Sequence, residues 1–497
     1  MIAHYLGTII LLLGVAMVVP LAVSLILQER SVTSHYLIGL GTALVVGGAL
    51  RLARVRPGIL QRRQAIAITG LIWMVGALIA AVPLWLSGHY ASFLDSFFEC
   101  VSGFTATGLS LCQDLDHLSM SDNMWRFVMQ FLGGQGVIVI ALSLGVFSKV
   151  GSAFYHAEGR EEFVLPNVKR TAQFIWRFSS AVVALGTAVL FVCALVLGID
   201  PIRAFFHGLW VTIGSYDTGG FAPQSTSIMY YHSWGFEFVT LILMLMGAVN
   251  FALYAQVWRG GWRQTMRLFL TDIEIRTLAI WISFLLVIFV AALTADTFLT
   301  DFSSLARRGV FTIVSAATNT GYQVLTVNQM TTMLTSGAFF LVLLAMAVGG
   351  SAGSTAGGIK ALRIGIIAKG LLARIKDVLS PSSARNTTSY QHLGRHLLSN
   401  ELLVAAMSIA LLYFITYLIG ALAGIAMGYD ANRAAFESVA ATTNAGLTSG
   451  ILSPDAPAFL KVVYILQMWM GRLEFLTLLA LLFSFVASLK PRKKVAR

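Results

Sequence analysis

Four short stretches of this sequence have residue types suited to holding a bare cation. They are Phe104-Thr105-Ala106-Thr107-Gly108-Leu109, Tyr216-Asp217-Thr218-Gly219-Gly220-Phe221, Thr318-Asn319-Thr320-Gly321-Tyr322 and Thr443-Asn444-Ala445-Gly446-Leu447. Each sets small or hydroxyl-bearing residues before a glycine and an apolar residue after it. A dehydrated monovalent cation needs a cage of oxygens, and backbone carbonyls supply one without fixed charge. Turning consecutive carbonyls to one side takes backbone conformations that glycine adopts cheaply. One such stretch signals a turn. Four in register, arranged about one axis, would close a ring.

The motif glycines recur at long intervals (108 to 220, 220 to 321, 321 to 446), and an aromatic residue stands ten positions before each: Phe98, Trp210, Phe311 and Phe436. Self-similarity over such a period means one structural unit used four times. The surroundings say what kind of unit. The 497 residues are 57% hydrophobic and only 11% charged, with a mean hydropathy of +0.80; a soluble chain would carry about twice that charged fraction. The sequence therefore reads as an integral membrane protein. A net charge of +12 raises nucleic acid as a partner, but the basic residues lie in short loops at helix ends. Cys100, Cys112 and Cys193 form no C-x-x-C, and the nine histidines show no paired spacing for haem or metal.

Apolar runs of about 20 residues cross a bilayer as helices. The runs are 5–27, 35–50, 65–86, 124–147, 175–197, 234–258, 278–295, a segment from near Gly337, 402–427 and 459–489. The first reads as a retained helix, since no basic stretch precedes it. Arg51, Arg54 and Arg56, then Lys149, Arg160 and Lys169, then Arg259 and Arg263, then Lys360, Arg363 and Lys369, and finally Lys490 and Arg492, fall on one side of these ten crossings. The positive-inside rule makes that side cytoplasmic, together with both termini. The segments 95–108, 203–220, 302–321 and 430–446 are too short to cross and return. Each fits a short re-entrant helix that unwinds where protein surrounds it, its partly negative carboxyl end aimed at a common cavity. The expected divisions are a two-helix hairpin (1–56) and four helix–pore loop–helix units (64–150, 170–262, 272–378 and 396–490).

A second mark follows each motif. Gly134, Gly247, Gly349 and Gly471 lie 25 to 28 residues beyond the motif glycines, so each second helix needs a small residue at one depth. In the third unit this position opens into 349–358, where five of ten residues are glycine: Gly349, Gly350, Gly353, Gly357 and Gly358. That composition will not hold a continuous helix. It predicts a broken helix whose loop lies in the pore beneath the motifs, with Lys360 near its inner end. Arg472 sits in an apolar run, where it costs roughly 2.5–3.5 kcal/mol unless it faces a cavity or a partner. Facing a pore, it would raise a barrier to cations; the alternative is a carboxylate partner on a neighbouring helix. Glu474, two residues on, points elsewhere on the helix. Glu99 and Glu437 occupy matching positions in units one and four, either concentrating cations at a mouth or stabilising a helix start. Asp217 stands where the other motifs have threonine, as added charge or as a buttress.

These motifs, with Ser102-Gly-Phe-Thr, Gly349–Gly358 followed by Ile359-Lys360, and Met470-Gly-Arg472, resemble the Trk/Ktr/HKT superfamily of potassium transporters, and within it the TrkH/TrkG branch. The resemblance covers nearly the whole chain. It implies an all-α polytopic membrane fold: a pseudo-fourfold array of four helix–pore loop–helix repeats plus an N-terminal hairpin, usually as a homodimer with one pore per protomer. It implies K+ coordination by the backbone of Ala106, Thr107 and Gly108; Thr218, Gly219 and Gly220; Asn319, Thr320 and Gly321; and Asn444, Ala445 and Gly446. It makes 349–358 with Lys360 an intramembrane gate and Arg472 the pore-facing arginine. It implies a separate cytosolic nucleotide-binding ring of the TrkA kind, no cofactor beyond the transported K+, and a bacterial plasma membrane location. Unit two departs from the family pattern, having Asp217-Thr-Gly-Gly-Phe where Asn-Asn-Ala-Gly-Phe is commoner. A glycine at position 108 rather than a serine favours K+ over Na+. A coupled Na+ or H+ symporter is the principal alternative. An organic-solute carrier would show two halves rather than four quarters, and an enzyme would need a nucleophile with its base, paired histidines or a metal cluster.

Overall fold

The structure, a computed structural model, describes residues 1–53, 62–136, 168–259, 262–295, 302–381, 387–473 and 475. It is helical almost throughout, and every helix serves the placement of four loops. Each loop follows a short helix: Phe93–Phe104, Pro201–Tyr216, Phe302–Ala317 and Ala431–Thr443. Three of these starts are fixed by a side chain that accepts from first-turn amides otherwise left orphaned: Ser92, Asp200 and Asp430. The aromatics ten residues before the motif glycines are fully buried within these helices. Trp210 stacks on Phe127 and Phe436 on Phe339, tying the second and fourth pore helices to the inner helices of the preceding units.

Each pore helix is flanked by an outer helix before it (Arg62–Leu86, Val168–Val196, Ile273–Ala295, Asn400–Ala426). An inner helix follows it (Met120–Gln135, Trp234–Gly247, Ser336–Ala347, Ala458–Leu473). Every inner helix also packs against the pore helix of the next unit, the fourth returning to the first. The quarters therefore form a closed ring. The hairpin Ile2–Ile26/Arg30–Arg51 lies against unit one. At its turn, Glu29 accepts hydrogen bonds from the Met120 and Ser121 amides at the start of the first inner helix, at 3.0 and 3.2 Å.

Among the described residues six helices are long and apolar enough to cross a bilayer: Ile2–Ile26, Arg30–Arg51, Gln64–Leu86, Lys169–Val196, Ile273–Leu293 and Asn400–Ala426. The other four expected crossings are the inner helices, shorter in the described residues. The continuations expected over 137–147 and 476–489, and most of the basic residues of the first two inner loops and the tail, lie outside the described residues. So does Glu474.

One expectation is corrected. The segment 234–258 is not a single helix but two, Trp234–Gly247 and Phe251–Arg259, meeting at 96°. The cause arrives from unit three. The Ser351 amide donates to Ala248 O at 2.8 Å, and Thr355 Oγ1 donates to Gly247 O at 2.9 Å. These carbonyls would otherwise accept the next turn's amides. Asn250 Oδ1 then caps the new helix through the Ala252 amide at 2.8 Å.

Candidate functional site

All four motifs adopt one backbone conformation. Ala106, Thr218, Asn319 and Asn444, two before each motif glycine, have φ of +52°, +48°, +55° and +55°. The motif glycines follow at +93°, +71°, +88° and +69°, a region that only glycine occupies without strain. The left-handed residue ends each pore helix and leaves the next amide pointing back into it: Thr107 N to Ser102 O, Gly219 N to Gly214 O, Thr320 N to Ser315 O and Ala445 N to Ala440 O, at 2.8–3.0 Å. The donor ends of these peptides are thus used in finishing the helices. The carbonyls of these same four residues belong to the next peptides and lie against the neighbouring units.

They face one another's strands around a cycle. Any side-chain carbon on Gly108 would lie 2.5 Å from Gly219 O. One on Gly220 would strike Thr320 O, one on Gly321 Ala445 O, and one on Gly446 Thr107 O. Unit one touches two, two touches three, three touches four, and four touches one. Four single-residue strands in mutual contact, each bringing a carbonyl beside the neighbouring glycine, enclose an axis with the pore-helix carboxyl ends directed toward it. Beyond the ring, a cavity of about 250 Å³ is lined by all four motif glycines and by residues that follow them, among them Gln113, Gln224 and Gln323.

On the opposite side of the ring lies the loop 350–358. The third inner helix stops at Ala347, and the chain resumes as Ala361–Leu379. Val348–Gly349 and Ile359–Lys360 pair as short parallel strands at the neck of the loop. Within it, Thr355 Oγ1 lies 3.0 Å from Tyr216 O and 3.2 Å from Thr218 Oγ1 of unit two. Gly357 fits against Thr443 O of unit four so closely that a Cβ would collide. Lys360 Nζ folds back on Ala356 O. Arg472, from unit four, donates to Thr355 O at 2.8 Å and to the carbonyls of Gly133 and Gly134 of unit one. It also lies within electrostatic reach of Asp217. Loop and arginine together join all four quarters directly under the ring.

In three units the inner-helix glycine has a common reason; Gly349, beyond the end of its helix, does not share it, since a Cβ there would strike Gly357 O. A Cβ on Gly133, Gly247 or Gly471 would collide with the carbonyl four residues before the motif glycine of its own unit: Phe104, Tyr216 and Thr442 respectively. The match in unit one is thus Gly133 rather than Gly134. Gly134 instead makes room for the Asp217 side chain of unit two. Asp217 is a buttress: Oδ1 accepts from Gln135 Nε2 at 2.6 Å, and Oδ2 has no hydrogen-bond partner among the described residues.

Glu99 and Glu437 stand at no mouth. Both are fully buried, and each holds down the strand that leaves its motif. Glu99 accepts from Ser110 Oγ and the Leu111 amide, both at 2.9 Å; Glu437 accepts from Thr448 Oγ1 at 2.8 Å and the Ser449 amide at 2.7 Å. Glu99 also carries the buried Arg126, at 2.8 Å, whose guanidinium lies over the Phe221 ring. A buried polar group stripped of its partner costs about 1–3 kcal/mol. Glu437→Gln is therefore expected to lower the thermal midpoint of the detergent-purified protein and to weaken uptake, whereas a mouth carboxylate would lose only salt-dependent flux.

Comparison with known proteins follows this geometry. The profile of the TrkH family, described as cation transport proteins, matches residues 34–489. The chain belongs to the TrkH family. An uncharacterised cation transporter of Methanocaldococcus jannaschii is 29% identical over 481 residues, covering 97% of this chain and 94% of that one. The Trk system potassium uptake protein TrkH of Escherichia coli is 28% identical over 498 residues, covering 97% of each. The crystal structure of the potassium transporter TrkH from Vibrio parahaemolyticus superposes with a TM-score of 0.81 at 24% identity, over 97% of this chain and 98% of that one. The fold is thus that of a TrkH-type polytopic membrane protein, and family membership makes the chain a cation transporter.

Sequence reasoning missed two groups around this TrkH-type site. Gln130, whose Nε2 donates to Gly219 O at 2.5 Å, is an inner-helix residue with no motif to mark it. Glu274, whose Oε1 accepts the Ala352 amide of the loop at 2.6 Å, lies 78 residues before its partner.

Proposed function

We propose that this chain is the ion-translocating subunit of a gated K+ uptake system. K+ passes through a filter built from the backbone oxygens of residues 106–108, 218–220, 319–321 and 444–446. The single observation that carries the reading is the closed cycle in which each motif glycine lies against the preceding-residue carbonyl of the next unit. Such a ring replaces a hydration shell without fixed charge. Relatives named as potassium uptake proteins support K+ as the ion.

The loop 349–358, with Lys360 and Arg472, is the gate in this reading, and the contacts beneath the ring support it. Control comes from a separate cytosolic nucleotide-binding ring, and the chain works as a homodimer with one pore per protomer. The repeat divisions at 64–150, 170–262, 272–378 and 396–490 are kept as functional quarters. The placement is a bacterial plasma membrane with both termini cytoplasmic, supported by the basic inner loops. Rubidium uptake into proteoliposomes tests the whole. The chain alone is expected to pass Rb+ in competition with K+ but not with Na+, and its regulator is expected to change the rate. Absence of K+-competed flux from a folded, oriented protein sinks the proposal.

One observation favours a second reading, coupled H+ symport: the buried Asp217 oxygen without a hydrogen-bond partner among the described residues, beside the filter. Asp217→Asn separates the two. With the membrane potential clamped at zero, the channel reading expects K+ flux indifferent to an imposed pH gradient in both forms. Symport expects a dependence that the asparagine abolishes.

A further inference from the structure

We propose that Asp272, Glu274 and His392 form a binding site for a divalent transition-metal ion of the zinc class, linking the hairpin Ser389–Gln391/Arg395–Leu397 to the loop 350–358. The three come from separate places. Asp272 and Glu274 open the third outer helix, and His392 sits at the tip of the hairpin between units three and four. All three are buried, at 2%, 0% and 6% exposure. Their donor atoms lie within 4.8 Å of one another. His392 Nδ1 is 3.1 Å from Asp272 Oδ2 and 3.9 Å from Glu274 Oε2. Ligands bound to Zn2+ at about 2.0–2.2 Å stand roughly 3.0–3.6 Å apart; the His392–Asp272 separation falls in that range, and a shared ion would draw Glu274 in from 3.9 Å.

The surrounding contacts agree. The carboxylates are already aimed. Asp272 Oδ1 accepts the Glu274 amide at 2.9 Å, and Oδ2 the Leu393 amide at 3.3 Å. Asn250 Nδ2 donates to Glu274 Oε2 at 3.3 Å. Such outer contacts orient metal ligands. An imidazole with two carboxylates suits Zn2+, Fe2+ or Mn2+ better than an alkali ion. A cleft of about 800 Å³ is lined by Thr271, Ile273 and Gln391, next to the ligands in sequence, and by none of the ligands themselves. Its walls bring Arg267, Arg276, Lys369 and Arg395 near, so the rival account is a protonated His392 within a local charge network.

The site touches the loop directly, through the Glu274 Oε1 contact to the Ala352 amide and through Asn250, whose side chain lies beside Gly353. An ion drawing Glu274 toward His392 couples hairpin position to loop position. That coupling rests on the gate reading of 349–358; the metal site does not.

The test uses tag-free full-length protein in detergent, stripped with EDTA and titrated with ZnCl2 by calorimetry, with metal content measured after gel filtration. One saturable equivalent per chain is expected, weakened about a hundredfold or more in His392→Ala and Asp272→Asn and unchanged in His117→Ala. Folding of the variants is checked by monodisperse elution and thermal midpoint. No saturable Zn2+ binding by folded wild type, or equal binding by both ligand variants, overturns the site. In proteoliposomes, Zn2+ is expected to change Rb+ flux severalfold in wild type and not in His392→Ala. Binding without any effect on flux overturns the coupling while leaving the site in place.

Discussion

Gly321→Ala is expected to abolish selective K+ uptake while the protein still inserts in the membrane. At φ +88° an alanine is strained by about 1–3 kcal/mol before any contact is counted. Its Cβ would also strike Ala445 O, a backbone atom held by the fourth pore helix. Each 1.4 kcal/mol is tenfold in an equilibrium, so strain alone cuts the native filter population about tenfold to a hundredfold. The outer and inner helices bury their faces independently of this carbonyl, so expression and the thermal midpoint should change little. Gly108→Ser is the milder member of the series, since its Cβ would meet Gly219 O at 2.5 Å, the loosest of the four approaches. That variant is expected to conduct but to discriminate poorly between K+ and Na+. Competition assays in a strain lacking other K+ uptake measure both. Wild-type selectivity in both variants removes the filter from these residues.

Features set by local backbone chemistry were legible in the chain. Glycine at positive φ, an aromatic ten residues earlier and a helix-breaking glycine run are constraints felt within one turn or loop. They placed the pore helices to within a few residues and located the break after Ala347. Features set by another quarter of the molecule were not. The bend after Gly247 exists because Ser351 and Thr355, more than 100 residues on, take the carbonyls that would have continued the helix. The choice between Gly133 and Gly134 turns on which one faces its own pore helix, and two adjacent glycines look alike on paper. Glu99 and Glu437 were misassigned for a different reason. Their partners, Ser110 and Leu111, Thr448 and Ser449, are only eleven and twelve residues on, and the matched spacing in both units was available to be read. His392 lay beyond reach, because one histidine 118 residues from its nearest carboxylate partner leaves no pattern.

Removing Gly350–Gly357 is expected to leave a faster pore whose rate its regulator no longer changes. The excision is geometrically mild. Gly349 and Gly358 already stand in contact, a Cβ on Gly358 falling 2.9 Å from Gly349 N, so the shortened chain joins where it was nearly closed. What disappears is the Thr355 contact with unit two, the Gly357 contact with unit four and one of the three carbonyl acceptors of Arg472. Arg472→Ala removes the same obstruction from the other side. A monovalent cation passing within about 6 Å of that guanidinium meets a barrier of about 3 kcal/mol at an effective dielectric near 20, or roughly a hundredfold in rate. Flux in the alanine variant should rise tenfold to a hundredfold, and in the deletion at least as far, with Rb+ still preferred over Na+ because the ring above is untouched. Selectivity retained with regulation lost is the signature that separates gate from filter. If both variants fold, by elution profile and thermal midpoint, yet conduct at the wild-type rate and still respond to the regulator, then loop and arginine are structural ties and the barrier lies elsewhere along the axis.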